Sequence, residues 1–170
     1  MYRELEPLRQ TLSHELREQL PPFTTGIART QFLQTYLDRL TLYVGCDVAD
    51  RTFTLYAEDA GGQKVGHLAG VPNEPHGFDR AWHWLAQLRQ EQQVSLIVLA
   101  METTGVFYWA WWDYLADCPQ LARVLYNPRT TAHMTEMLSQ KVRNDLIDAY
   151  ALAEQVRHGA TPEVVAVEDA

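Results

Sequence analysis

The chain reads as an α/β protein, a mixed five-stranded sheet with helices on both faces, preceded by a helical appendage. Three observations predict this. Runs of strand formers joined by turn signals make a hairpin meander after residue 41. Apolar runs then alternate with segments of helical period, the pattern of βαβ units. Four carboxylates also stand at the ends of these elements, where an ionised group is costly unless something positive meets it.

Residues 1–40 form the appendage. Leu5, Leu8, Leu12, Leu16 and Leu20 recur at helical spacing until Pro21-Pro22 stops the run. A second short helix carries Phe32, Leu33, Tyr36, Leu37 and Leu40 on its apolar side. Five arginines (Arg3, Arg9, Arg17, Arg29, Arg39) balance five acids (Glu4, Glu6, Glu15, Glu18, Asp38). The segment serves either packing against the domain or self-association.

From residue 41 the pattern changes. Leu42–Val48 and Thr52–Glu58 are strands, and Gly61-Gly62 turns the chain into a third, Lys64–Ala69. Pro72-Asn73-Glu74-Pro75 breaks the run, and His76–Gln90 is helical through Phe78, Trp82, Leu85 and Leu88. Val94–Met101 is a buried strand, Gly105–Ala116 an apolar helix, and Leu121–Tyr126 a strand ended by Asn127-Pro128. Residues 129–138 and 144–158 are helical, which bounds the domain at 41–158 and leaves 159–170 as a loose acidic tail.

In the order β-β-β-α-β-α-β-α, right-handed crossovers set the first and fourth strands side by side and parallel. Their carboxyl ends open onto a crevice where the strand order reverses. Asp47 and Glu102 stand at those two ends. Asp145 and Asp148, at i and i+3, share one face of the helix that opens at Asn144. Acids in a first turn are also explained by the helix dipole, at roughly 0.3–1 kcal/mol each. Taken with Asp47 and Glu102, the metal reading leads: oxygen-only ligands call for Mg²⁺, with Mn²⁺ as a substitute. Thr103 and Thr104 cap the following helix or bind phosphate.

Bulk properties narrow the class. An apolar fraction of 46% supports a core. Cys46 and Cys118 have no framework spacing, which points to a reduced, cytoplasmic protein. No apolar run approaches the roughly 20 residues of a membrane span. His67, His76 and His83 lack zinc spacing, and no Walker loop, Gly-x-Ser-x-Gly or Cys-x-x-Cys is present. Trp82, Trp84, Trp109, Trp111 and Trp112 read as core rather than as base-stacking groups. The net charge of −8 opposes a nucleic-acid partner. Against it, Arg123, Arg129, Lys141 and Arg143 cluster ahead of the Asp145 helix and form the candidate phosphate contacts.

Several short motifs, in order, carry a family resemblance: Tyr43-Val44-Gly45-Cys46-Asp47-Val48, Val71-Pro72-Asn73, Met101-Glu102-Thr103-Thr104-Gly105-Val106-Phe107, Asn127-Pro128, and Asn144-Asp145-Leu146-Ile147-Asp148-Ala149 with Leu152-Ala153. This series resembles the N-terminal half of the DEDD transposases of the insertion sequence 110 family and the Piv-like DNA invertases. The resemblance covers roughly residues 41–158. It implies a RuvC-like, ribonuclease-H-like fold in which Asp47, Glu102, Asp145 and Asp148 bind Mg²⁺ and act catalytically. It also implies DNA as substrate, a guide RNA as partner, and a serine nucleophile on a second domain that this chain does not include. Cys46 stands where the family commonly has isoleucine, and Arg143-Asn144 where it has Lys-Thr.

The expected function is thus a metal-dependent transposase or recombinase domain, homo-oligomeric and not membrane-bound. The chain is a fragment of a longer protein or a shortened relative. The alternative from another class is a non-catalytic nucleic-acid-binding or assembly module with the same fold. A sugar-kinase or actin-like nucleotide-binding half ranks third, because Val48-Ala49-Asp50 replaces the phosphate turn such folds place after the first strand.

Overall fold

Strand β1 (Thr41–Val48) alternates its side chains across the sheet, and that alternation organises the molecule. Leu42, Val44 and Cys46 face one layer of buried side chains, and Tyr43 faces another. The computed structural model describes residues 40–138, 144–160 and 162–167. The appendage helices, Lys141 and Arg143 lie outside the described residues.

The meander forms as expected: β1 pairs antiparallel with β2 (Thr52–Glu58), and β2 with β3 (Lys64–Pro72). The β2–β3 turn is held by Asp59, whose Oδ1 accepts from Gly61 N and Gln63 N, both at 2.9 Å. Gly62 takes a left-handed φ of 80° there, which glycine adopts without a Cβ penalty. Helix α1 (Pro75–Glu91) starts on a proline in its first turn, whose missing N–H costs nothing at that position. Strand β4 (Leu96–Glu102) then returns beside β1, parallel, with Gly45 opposite Ala100. Continuing that register sets Asp47 level with Glu102.

Helix α2 (Trp109–Leu115) is shorter than the expected 105–116. Gly105 sits at φ 62°, and a turn closed by Trp109 N donating to Val106 O at 3.2 Å precedes the helix. Strand β5 (Leu121–Tyr126) pairs parallel with β4. Helices α3 (Pro128–Met137) and α4 (Asp145–Arg157) follow. The expected loose tail instead contributes a sixth strand, β6 (Val164–Val167), antiparallel to β5. The sheet order is β3-β2-β1-β4-β5-β6.

The two faces differ in chemistry. On one, α1 and α2 cover Leu42, Val44, Cys46, Ile97, Leu99 and Met101 with Phe78, Leu85, Trp111 and Leu115. Aromatic rings dominate this layer: Phe53 stacks on Trp111 at 4.9 Å, and Trp111 on Tyr114 at 5.6 Å. Fully burying side chains of this size stabilises by about 1.5–3 kcal/mol each. On the other face, Leu152 and Val156 of α4 cover Tyr43, Val98, Ala100 and Val124. Here Gly45 lets the helix approach the strand closely: a Cβ on Gly45 would collide with the Ala149 carbonyl oxygen and the Ala153 nitrogen.

Candidate active site

Strand parity puts Asp47 on the α4 side of the sheet, two residues beyond Gly45 and four beyond Tyr43. The same parity puts Glu102 there, following Leu96, Val98 and Ala100. On α4 the buried stripe Ala149, Leu152, Ala153 and Val156 continues backwards, at helical spacing, onto Asp145 and Asp148. The elements that build the core therefore carry four carboxylates to one place, the carboxyl end of β1 and β4 against the first turn of α4.

The charges of the other three register on Asp47. Asp47, half-buried, is pushed up from 3.8 to about 7. Burial is the largest cause, followed by the charges of Asp148, Asp145 and Glu102, and then a side-chain hydrogen bond with Asp145. A cap explanation for the helix acids is weakened by the cap itself: Asn144 Oδ1 accepts from Ile147 N at 2.9 Å, so that role is filled. Asp145 and Asp148 still gain from the helix dipole.

Around the acids, short contacts fix the loops. Thr104 Oγ1 donates to Glu102 Oε2 at 3.0 Å and orients that carboxylate. Thr103 N donates to Tyr126 O at 3.0 Å, and its hydroxyl lies 3.4 Å from both Tyr126 O and Glu163 Oε2. Glu163 Oε1 also accepts from Asn127 Nδ2 at 3.0 Å, so the lead-in to β6 straps the ends of β4 and β5. Asn73 Nδ2 donates to Ala49 O at 3.0 Å and to Phe107 O at 2.9 Å, joining the β1–β2 turn to the loop after Glu102.

The expected basic contacts divide. Arg129 is exposed in the first turn of α3, at the carboxylate end of the sheet. Arg123 is a correction: it is only 5% exposed and shares its face of β5 with Leu121 and Leu125, opposite the acids. Its Nη1 donates to Trp112 O at 2.7 Å, and its guanidinium lies 4.5 Å from the Trp112 ring centroid. It braces α2 against the sheet and presents no charge to a phosphate. Trp109 is a second correction, since it is 58% exposed rather than core. Asn73, Glu163 and the Glu58–Arg157 pair were not singled out, because their partners are remote in sequence.

As a ligand set the carboxylates suit a hard divalent ion, being all oxygen and strongly anionic. Among the described residues, however, no group of three His, Cys, Asp or Glu side chains closes on a common point that would hold a metal. The donor chemistry fits, while the side-chain positions are more open than a closed coordination set.

Sheet order and strand directions define a ribonuclease-H-like fold. The chain belongs to the DEDD transposases of the insertion sequence 110 family, whose transposase model matches residues 44–170. It is a transposase-type catalytic domain. Among solved structures it is similar to T. thermophilus RuvC in complex with a Holliday junction substrate. That match has 14% identity and a TM-score of 0.48, covering 72% of this chain and 99% of the other. A second Thermus thermophilus RuvC structure matches at 15% identity and a TM-score of 0.45, covering 71% and 99%. The ethanolamine utilization protein EutJ from Carboxydothermus hydrogenoformans matches at 20% identity and 0.33, covering 55% and 39%. No curated protein sequence matches the chain. Among the described residues no helix is long and apolar enough to cross a membrane.

Proposed function

We propose that the crevice binds Mg²⁺, or Mn²⁺ in its place, through Asp47, Glu102, Asp145 and Asp148, and that the domain breaks and rejoins DNA strands in transposition. The observation that carries this reading is the placement of Asp47 and Glu102 at the paired ends of β1 and β4, against the first turn of α4 with Asp145 and Asp148, where burial and the three neighbouring carboxylates push Asp47 up to about 7. A fold keeps such a repulsive cluster at a cost unless cationic charge joins it.

A bound divalent ion supplies Lewis-acid stabilisation of charge on the attacking and leaving oxygens of a phosphodiester. The chain's own residues set the frame. Asp47 would hold the cation as its deprotonated carboxylate, Thr104 aims Glu102, and Asn144 fixes the turn that carries Asp145 and Asp148. Arg129, with Lys141 and Arg143, contacts the DNA backbone, and Thr103 and Thr104 line the approach. The nucleophile is a serine on a second domain, as the family resemblance implies. A guide RNA directs the target, and the working unit is a homo-oligomer.

The test is thermal melting with Mg²⁺ or Mn²⁺, joined to single-turnover assays on supercoiled and branched DNA. A metal-induced rise in Tm that Asp47→Asn abolishes supports the reading. The open carboxylate placement favours a second reading, a DNA-binding or assembly module without chemistry. Cleavage that disappears with Asp47→Ala excludes it; DNA binding with no metal response establishes it.

A further inference from the structure

Large apolar side chains that face water mark places where something else lands. Among the described residues these are Val106 (64% exposed), Phe107 (45%), Trp109 (58%), Met137 and Val164. Three of the five fall in one turn, which begins directly after Glu102-Thr103-Thr104-Gly105.

The turn is braced. Asn73 Nδ2 holds Phe107 O at 2.9 Å, and Trp109 N closes on Val106 O at 3.2 Å. Tyr108 between them packs against the aromatic core and meets Trp109 edge-on, ring centroids 6.3 Å apart. The exposed rings are thus presented on a fixed base at the rim of the acidic crevice.

Size and charge select the occupant. A stable protein interface takes roughly 20–30 residues a side, far more than this patch offers. The surrounding charge is acidic on balance, with Asp50 and Asp113 exposed and Glu102 adjacent against the single exposed cation Arg51 of the β1–β2 turn, so the rim does not attract phosphates. Stacking on a π-face carries no net charge and is indifferent to that balance. A base offers its face only when it has left the duplex stack.

We propose that Phe107 and Trp109 form a stacking platform for an unpaired nucleobase of the DNA strand whose neighbouring phosphate enters the acidic crevice. The platform supplies uncharged binding energy that adds to the phosphate contact proposed for Arg129. This rests on the function proposed above, and its test is separable from it.

The experiment measures fluorescence anisotropy of a labelled oligothymidylate with the full chain, in EDTA and in Mg²⁺. An abasic oligomer and a duplex of equal length are the comparisons. The oligothymidylate is expected to bind most tightly. Phe107→Ala and Trp109→Ala each weaken it by roughly tenfold or more. Phe107→Leu weakens it nearly as much, because the ring and not the apolarity is lost, and Phe107→Tyr retains it. Equal affinity for the abasic oligomer, no binding of any oligomer, or unchanged binding by Phe107→Ala overturns the proposal. Dissociation of a dimer by Phe107→Ala, seen in sedimentation, also overturns it and makes the patch a contact between copies. The metal-induced Tm shift of the parent is read separately. Its absence defeats the metal function while the platform still stands or falls on the oligomers.

Discussion

Arg157, in the last turn of α4, donates from Nε to Glu58 Oε1 at the end of β2 across 3.1 Å. Glu58 is fully buried, and Arg157 Nη2 also reaches Glu154 Oε2 at 2.8 Å. His158 Nε2 lies 2.9 Å from that same oxygen. Burial pushes Glu58 up from 4.5 to about 8, with the Glu154 hydrogen bond and charge adding to the rise. Burial pushes Glu154 up as well, but its bonds to Glu58, Arg157 and His158 outweigh that and lower it.

Stability should therefore depend on pH through this pair. Glu58, raised in the folded state, contributes stability that is fully present below its ordinary value and is lost as pH rises through about 8. Glu154, lowered, contributes stability present above its ordinary value and lost as pH falls. The Tm of the metal-free chain should drop as pH rises from about 4.5 to about 8 and level off above that, and Glu58→Gln should reduce that drop. A fall of the same size in the Gln variant would assign it to other groups.

Asp47→Asn removes one charge from the crevice at nearly constant shape. The metal-free variant should melt at the same temperature as the parent or higher, and should show no Tm rise with Mg²⁺. Calorimetry in EDTA and in Mg²⁺ measures both. A variant that unfolds in EDTA would make Asp47 a structural residue.

Arg123 and Arg129 should separate stability from DNA contact. Arg123→Ala strips the partner from the Trp112 carbonyl and should cost about 1–3 kcal/mol in urea unfolding, with little change in the salt slope of DNA binding. Arg129→Ala should leave stability within about 0.5 kcal/mol and reduce the salt slope by about one unit. The opposite pattern would return Arg123 to the interface.

Asn73→Ala breaks the tie between Ala49 O and Phe107 O. The expected cost is about 1–3 kcal/mol. Amide exchange should speed up at Val106–Trp109 before it does in β4. Uniform loss of protection across the sheet would mean that Asn73 supports the whole fold rather than this turn.

Much of this architecture is legible in residue order. Strand formers, the Gly61-Gly62 turn and the Pro72–Pro75 break fix the meander, and crossover handedness pairs β1 with β4. Parity then carries Asp47 and Glu102 to one face. Arg123 misleads because clustering along the chain ignores parity, although Leu121 and Leu125 beside it mark the face it takes. Composition also favours a helix from residue 105, whereas Gly105 at positive φ delays it to Trp109. Strand β6 is only four residues long, and the acids around its valines mask it. Asn73 is illegible for another reason: its bonded carbonyls lie 24 and 34 residues away.

The division of the sheet into two faces also sets an order of assembly. Helices α1 and α2 precede β5 in the chain, so the aromatic layer can close while α4 is still being synthesised. Until α4 docks, Tyr43, Leu96, Val98, Ala100 and Val124 have no cover from Leu152 and Val156. The nascent domain is then a half-covered sheet, the kind of species that aggregates. Asp145 and Asp148 stay apart from Asp47 and Glu102 through that stage, because they arrive only with α4 itself. Folding thus meets the repulsion among the four carboxylates last, in the step that buries the second face, whose apolar surface offsets it.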